Sequence, residues 1–186
     1  MKKPLLIGLF VSLLSPVAWA APADWSGLFK SWEKGCDTSP ALSAFIDSMG
    51  TVHTKANGQF YLAQNIRLPA KYRNQAAQKV SFHKMYDERE KYTFNQTRLS
   101  LKGHYYGLPV VHYSQTFLLE TAGVEYQRLL LDVPIEQAHR VLAHKYRPRK
   151  HFNLVLQTHE TLQAELLPVN INGKSQTVVE CRYIDG

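Results

Sequence analysis

Two cysteines are all that the 186 residues contain, and there are ten glycines and nine prolines. So few cysteines exclude a disulfide-dense miniature scaffold, since only one bridge can form. A chain that is 45% hydrophobic and 11% aromatic is neither collagen-like nor broadly disordered. Several catalytic signatures are missing too. There is no G-x-S-x-G elbow, no G-x-x-x-x-G-K phosphate loop and no C-x-x-C redox pair. His159-Glu160 begins like a zinc-protease helix, but Gln163 stands where the second histidine is needed. The sequence therefore predicts no metal and no cofactor.

Long apolar runs are also scarce. The one that stands out, Leu5 to Leu14, follows Lys2 and Lys3 and is broken by Pro16, before Ala18-Trp19-Ala20. About ten apolar residues are too few for a bilayer, which takes about 20. The pattern is that of a secretory signal peptide spanning residues 1–20, cleaved before Ala21. No cysteine follows that point to carry a lipid. The expected mature chain, residues 21–186, is thus one globular domain in the periplasm of a bacterium or secreted, with no transmembrane anchor. Its formal charge falls from +7 to about +5 without the two leader lysines.

Cys36 and Cys181 lie at opposite ends of that mature chain, and an oxidising compartment favours a structural disulfide between them. No activating group near either cysteine argues for a catalytic thiol.

What is present reads as α+β: a mostly antiparallel sheet of six to eight strands, with two N-terminal helices and one middle helix. The first helix, capped by Asp24, carries Trp25, Leu28, Phe29, Trp32 and Cys36 at helical spacing and stops at Gly35. The second has Ser39 as cap, Pro40 in its first turn, and Leu42, Phe45, Ile46 and Met49 on its buried face. Alternation predicts strands over Phe60–Leu68, Val80–Tyr86, Tyr92–Leu101, Val111–Leu119 and Val124–Leu131. In the fourth of these, Val111, Tyr113 and Phe117 should share the core face. The middle helix starts at Asp132 or Val133, buries Ile135, Ala138, Val141, Leu142 and Tyr146, and ends before Pro148. Strands at Phe152–Leu156 and Leu162–Leu167 follow. Asn172-Gly173 should then turn the chain tightly into a last strand, Ser175–Ile184.

Two segments carry candidate contact chemistry. His144 to His151 holds Lys145, Arg147, Arg149 and Lys150 with no acid among them, at a helix C-terminus. Such a run either complements the helix dipole in solvent or meets an acidic partner. Gly103 to Pro109 sets Tyr105 and Tyr106 between glycines. Paired tyrosines suit a protein contact, though they serve equally to cover a sheet edge. A hydrolytic arrangement of His104, His112 and Ser114 is the alternative, with His83 also on a strand. Residues two apart on a strand face are about 7 Å apart, however, too far for a direct hydrogen bond. Glu136 and His139 share a helix face but lack further ligands.

These features lead to a small exported, non-catalytic protein that recognises or inhibits another envelope protein, of inhibitor or immunity type. The expected partner is a protein with an acidic surface, engaged by Arg147, Arg149, Lys150, Tyr105 and Tyr106. An anionic envelope glycan or lipid is the alternative. Nucleic acid is not expected, since an exported chain rarely meets it and no nucleic-acid motif is present.

Overall fold

A computed structural model describes residues 21–49, 52–54, 60–62, 66–77, 80–87, 92–118, 124–146 and 164–184. The chain runs β1 (Ala23–Asp24), α1 (Ser26–Phe29), a 3-10 turn (Lys30–Lys34), α2 (Pro40–Ser48), β2 (Val52–Thr54) and β3 (Phe60–Leu62). A second 3-10 turn (Ala70–Gln75) leads to β4 (Ser81–Asp87), β5 (Tyr92–Ser100), β6 (Gly103–Tyr105), β7 (Leu108–Leu118) and β8 (Val124–Leu131). Then come α3 (Ile135–Leu142), β9 (Glu165–Ile171) and β10 (Lys174–Ile184). The architecture is α+β, built on a mixed eight-stranded sheet. From β4 the strands run β5, β7, β8, β10, β9, with each neighbouring pair antiparallel. β6 also pairs with β7, and β1 joins β6 in parallel. β2 and β3 form a separate ribbon.

The helical layer follows from its local sequence. Ser39 accepts the Leu42 N–H at 3.2 Å through its hydroxyl, and Pro40, with no N–H to satisfy, occupies the first turn of α2. The first helix is shorter than its periodicity implies. It is α-helical for one turn, tightens into the 3-10 turn, and ends at Gly35 with φ 87°. Trp25 takes the N-cap position, while the Asp24 carboxylate accepts the Ser26 N–H at 3.0 Å. The tightening keeps Trp25, Leu28, Phe29, Trp32 and Cys36 all buried.

These side chains meet Leu99, Tyr113, Leu129 and Val179 from the sheet, which are fully buried. Phe29 lies 5.5 Å from the Tyr113 ring and Phe45 5.0 Å from it, so Tyr113 ties both helical segments to the central strand. Covalent closure is added by the Cys36–Cys181 disulfide, whose Cα atoms are 5.6 Å apart.

Several details differ from the sequence reading. Phe60–Leu68 is not one strand. Only Phe60–Leu62 is extended and paired, and the chain coils into the unexpected 3-10 turn at Ala70. In β7 a bulge lies between Val110 and His112, so Val110, not Val111, shares the core with Tyr113. The extra residue shifts the alternation by one. α3 has Pro134 as its N-cap residue, and it ends at Leu142, although Tyr146 beyond it is still buried. Asn172-Gly173 turns β9 into β10 with Asn172 and Gly173 at φ 53° and 79°. The expected strand at Phe152–Leu156 lies outside the described residues. No helix among the described residues is long and apolar enough to cross a membrane.

Candidate functional site

The two segments singled out in the sequence meet at one corner of the fold. Tyr106 and Gly107 form a two-residue hairpin turn between β6 and β7, both at positive φ, 50° and 77°. A tyrosine in the left-handed region is uncommon and needs support. Here its N–H donates to the Ser26 hydroxyl at 2.8 Å and its own hydroxyl donates to the Glu33 carboxylate. The Lys145 ammonium lies 4.1 Å from the Tyr106 ring centre and 3.2 Å from Glu33. Burial pushes the Glu33 carboxyl up, but the bonds from Tyr106 and Lys145 and the charges of Lys145 and Lys30 outweigh it, so it stays below its ordinary value.

Tyr105 does not behave as a contact residue. It is fully buried, its hydroxyl bonds that of Tyr146, and its ring packs edge-on against Phe29 and Tyr106. Strand alternation explains the split, because consecutive residues face opposite ways. Burial, then the neighbouring Tyr146, raises the Tyr105 hydroxyl pKa well above its ordinary value. Tyr106 keeps part of its surface exposed. Arg147, Arg149 and Lys150 lie outside the described residues, and follow Tyr146 directly in the chain.

The hydrolytic arrangement is not assembled. His112 and Ser114 share the sheet face turned away from the helices, but the Ser114 hydroxyl makes no hydrogen bond. His104 sits on β6 opposite Pro109, between β1 and β7, and bonds neither of them. Burial, then the charges of Arg98 and His83, depresses the His112 pKa to about 4, so its ring is neutral near pH 7. His83 is lowered by burial and then by Arg98, and its Nε2 lies 2.9 Å from the Ser81 hydroxyl. Among the described residues, no three His, Cys, Asp or Glu side chains come together to hold a metal ion.

The same outer face holds residues that the sequence reading missed. Ser81, Arg98, Ser114, Arg128, Glu180 and Glu165 stand directly opposite one another on six successive strands. The next rung in one direction carries His83, Gln96, Thr116, Tyr126 and Arg182. Glu180, only 2% exposed, receives Arg128 at 2.5 Å and Arg182 at 3.4 Å, and both guanidinium groups stack on Tyr126 at 4.9 and 4.7 Å. Strand alternation alone puts each arginine on the face away from the core. Only the strand order and register bring them together, and neither is written in any local pattern.

An apolar hollow of about 470 Å³ lies elsewhere, between α2 and the 66–69 segment, lined by Ala41, Ala44, Ile66 and Leu68 with Arg67 and Arg73. Comparison with known protein families, with curated proteins and with solved structures finds no match to this chain.

Proposed function

We propose that this is a small exported binding protein without a catalytic role, which recognises or inhibits another envelope protein through an acidic surface on that partner. Residues 1–20 would act as the signal peptide, and the disulfide suits an oxidising compartment.

The observation that carries this reading is the Lys145–Tyr106 contact. It sets the tyrosine turn beside the end of the α3 segment, where the basic run begins, so both candidate surfaces belong to one corner. Tyr106 would supply the aromatic anchor, and Arg147, Arg149 and Lys150 the steering charge. Tyr105 and Tyr146 would serve as the rigid backing. A loop held by a buried support loses little freedom on binding, which favours affinity.

The test is affinity capture from the envelope fraction with tagged, disulfide-bonded residues 21–186, at low and high salt. A fourfold variant, Tyr106→Ala with Arg147→Ala, Arg149→Ala and Lys150→Ala, is run in parallel. One protein held in near-stoichiometric amount at both salts, and lost from the variant, supports the reading. Retention of nothing, or of an anionic glycan or lipid released by salt, overturns it.

A further inference from the structure

We infer that the outer face of the sheet holds a separate binding site for a tetrahedral oxyanion, a phosphate or sulfate group, seated on Ser114 between Arg98 and Arg128.

The three residues come from the adjacent strands β5, β7 and β8 and stand directly opposite one another, so their side chains rise from the same face. Neighbouring strands are about 4.8 Å apart, which separates the two arginine backbones by about 10 Å. A serine between two such long side chains leaves a notch with a hydroxyl at its floor and a guanidinium on each wall. Ser114 is 1% exposed, and its hydroxyl has no hydrogen-bond partner. A buried hydroxyl is nearly always satisfied, so an orphan at the base of a cationic notch points to an absent acceptor. Trp32, Tyr72 and Thr97 also have orphaned polar atoms, but on the helix-covered side or away from this row, with no pair of arginines flanking them.

The walls are held in place. The Arg98 Nε donates to the Gln96 side-chain oxygen, while the Gln96 amide donates to the Thr116 hydroxyl at 3.2 Å. On the other side, the Arg128 Nε donates to Glu180. Anchoring each guanidinium through Nε fixes its plane, the arrangement that suits oxyanion recognition. Arg98 and Arg128 repel each other, and burial adds to this in lowering the Arg98 pKa. His112, on the adjacent rung, also feels the Arg98 charge. An anion between the arginines would relieve that repulsion. A planar carboxylate is matched by one arginine fork, whereas donors on two walls and a floor match an ion that presents oxygens in several directions.

This inference does not depend on the proposed protein contact, since the notch and the Tyr106 turn involve different residues. It is tested by calorimetric titration of the disulfide-bonded chain at low ionic strength with inorganic phosphate, inorganic sulfate and phenyl phosphate, against chloride. Saturable one-site binding is expected, weakened at least tenfold by Arg98→Gln and several-fold by Ser114→Ala. The Tyr106→Ala variant should bind as the parent does. Binding should also move the His112 ring titration upward, as a nearby anion favours the charged imidazole. Tighter binding of phenyl phosphate than of inorganic phosphate would identify a phosphate carried on a larger molecule, and equal binding would identify the free ion. Either result supports the site. No saturable binding up to about 10 mM, an affinity near 3 kcal/mol and too weak to matter, overturns it. Binding that survives Ser114→Ala and Arg98→Gln unchanged also overturns it, and should Arg98→Gln fail to fold, Ser114→Ala decides alone.

Discussion

Tyr105 and Tyr146 meet hydroxyl to hydroxyl in the core, forty-one residues apart in the chain, directly behind the turn that presents Tyr106. One comes from a sheet strand and the other from the end of the α3 segment, so their bond fixes the position of that segment against the sheet. Each hydroxyl satisfies the other where water has little access.

Removing one of the pair should therefore cost more than removing both. Tyr105→Phe or Tyr146→Phe leaves a buried hydroxyl without a partner, an expected loss of about 1–3 kcal/mol. The double phenylalanine variant should recover much of that loss. Urea unfolding of all four proteins, read as a double-mutant cycle, checks the coupling. Additive losses would show that the two hydroxyls do not depend on each other.

Reducing the disulfide should destabilise the fold by about 4–5 kcal/mol, the chain-entropy value for so long a loop. The bridge closes a separation of 145 residues and joins the turn after the first helical segment to β10. Urea midpoints with and without reductant, and for Cys36→Ser with Cys181→Ser, measure it. Equal midpoints would mean that the bridge constrains nothing the core does not already hold.

Stability should fall as pH drops from about 6.5 to about 4. The His112 pKa is depressed by burial first, then by Arg98 and His83, to about 4 from an ordinary 6.5. Unfolded His112 takes a proton below about 6.5, while the folded form resists until about 4. The stabilising contribution is thus intact above 6.5 and is lost through that window, a change of roughly 3 kcal/mol at the bottom. Glu33, held below its ordinary value, loses its contribution in the same direction at lower pH. His112→Gln should flatten the upper part of the curve. Urea unfolding at closely spaced pH values is the measurement, and an unchanged curve in the variant would assign the loss to other groups.

Gly103→Ala should detach the short parallel strand. Gly103 has φ 124°, and an added Cβ would sit 2.1 Å from the Ala23 carbonyl oxygen. Both the backbone angle and the close approach exclude a side chain there. A loss of about 2–3 kcal/mol is expected, with faster proteolysis near Ala23. Thermal unfolding and limited proteolysis together separate local release of β1 from general weakening.

Local patterns were enough to read α2, α3 and the final hairpin. Ser39 and Pro40 mark a helix start by their own chemistry, and Asn172-Gly173 forms its turn without help from the rest of the chain. The misreadings came where distant contacts decided. Val111 looks like a core residue until the pairing of β7 with β8 inserts a bulge. β1, two residues long, is a strand only because β6 lies beside it. The tyrosine pair was read as one surface, yet alternation sends Tyr105 inward and Tyr106 outward. The Arg98–Ser114–Arg128 row was invisible because each residue lies on its own strand, and only register joins them.

The disulfide also imposes an order on the making of the molecule. Cys36 belongs to the first helical segment, but its partner is not available until residue 181 has been synthesised. Until then Trp25, Phe29 and Trp32 lack the strand β10 that closes the sheet beside them. The early chain therefore presents a large aromatic surface with nowhere to bury it, the condition under which holding chaperones engage and aggregation competes. Oxidation of the thiols follows assembly of the sheet, so the bridge acts as a latch fastened on a finished fold. A thiol–disulfide catalyst would act late on this chain, and trapping experiments during synthesis should find Cys36 reduced until β10 has emerged.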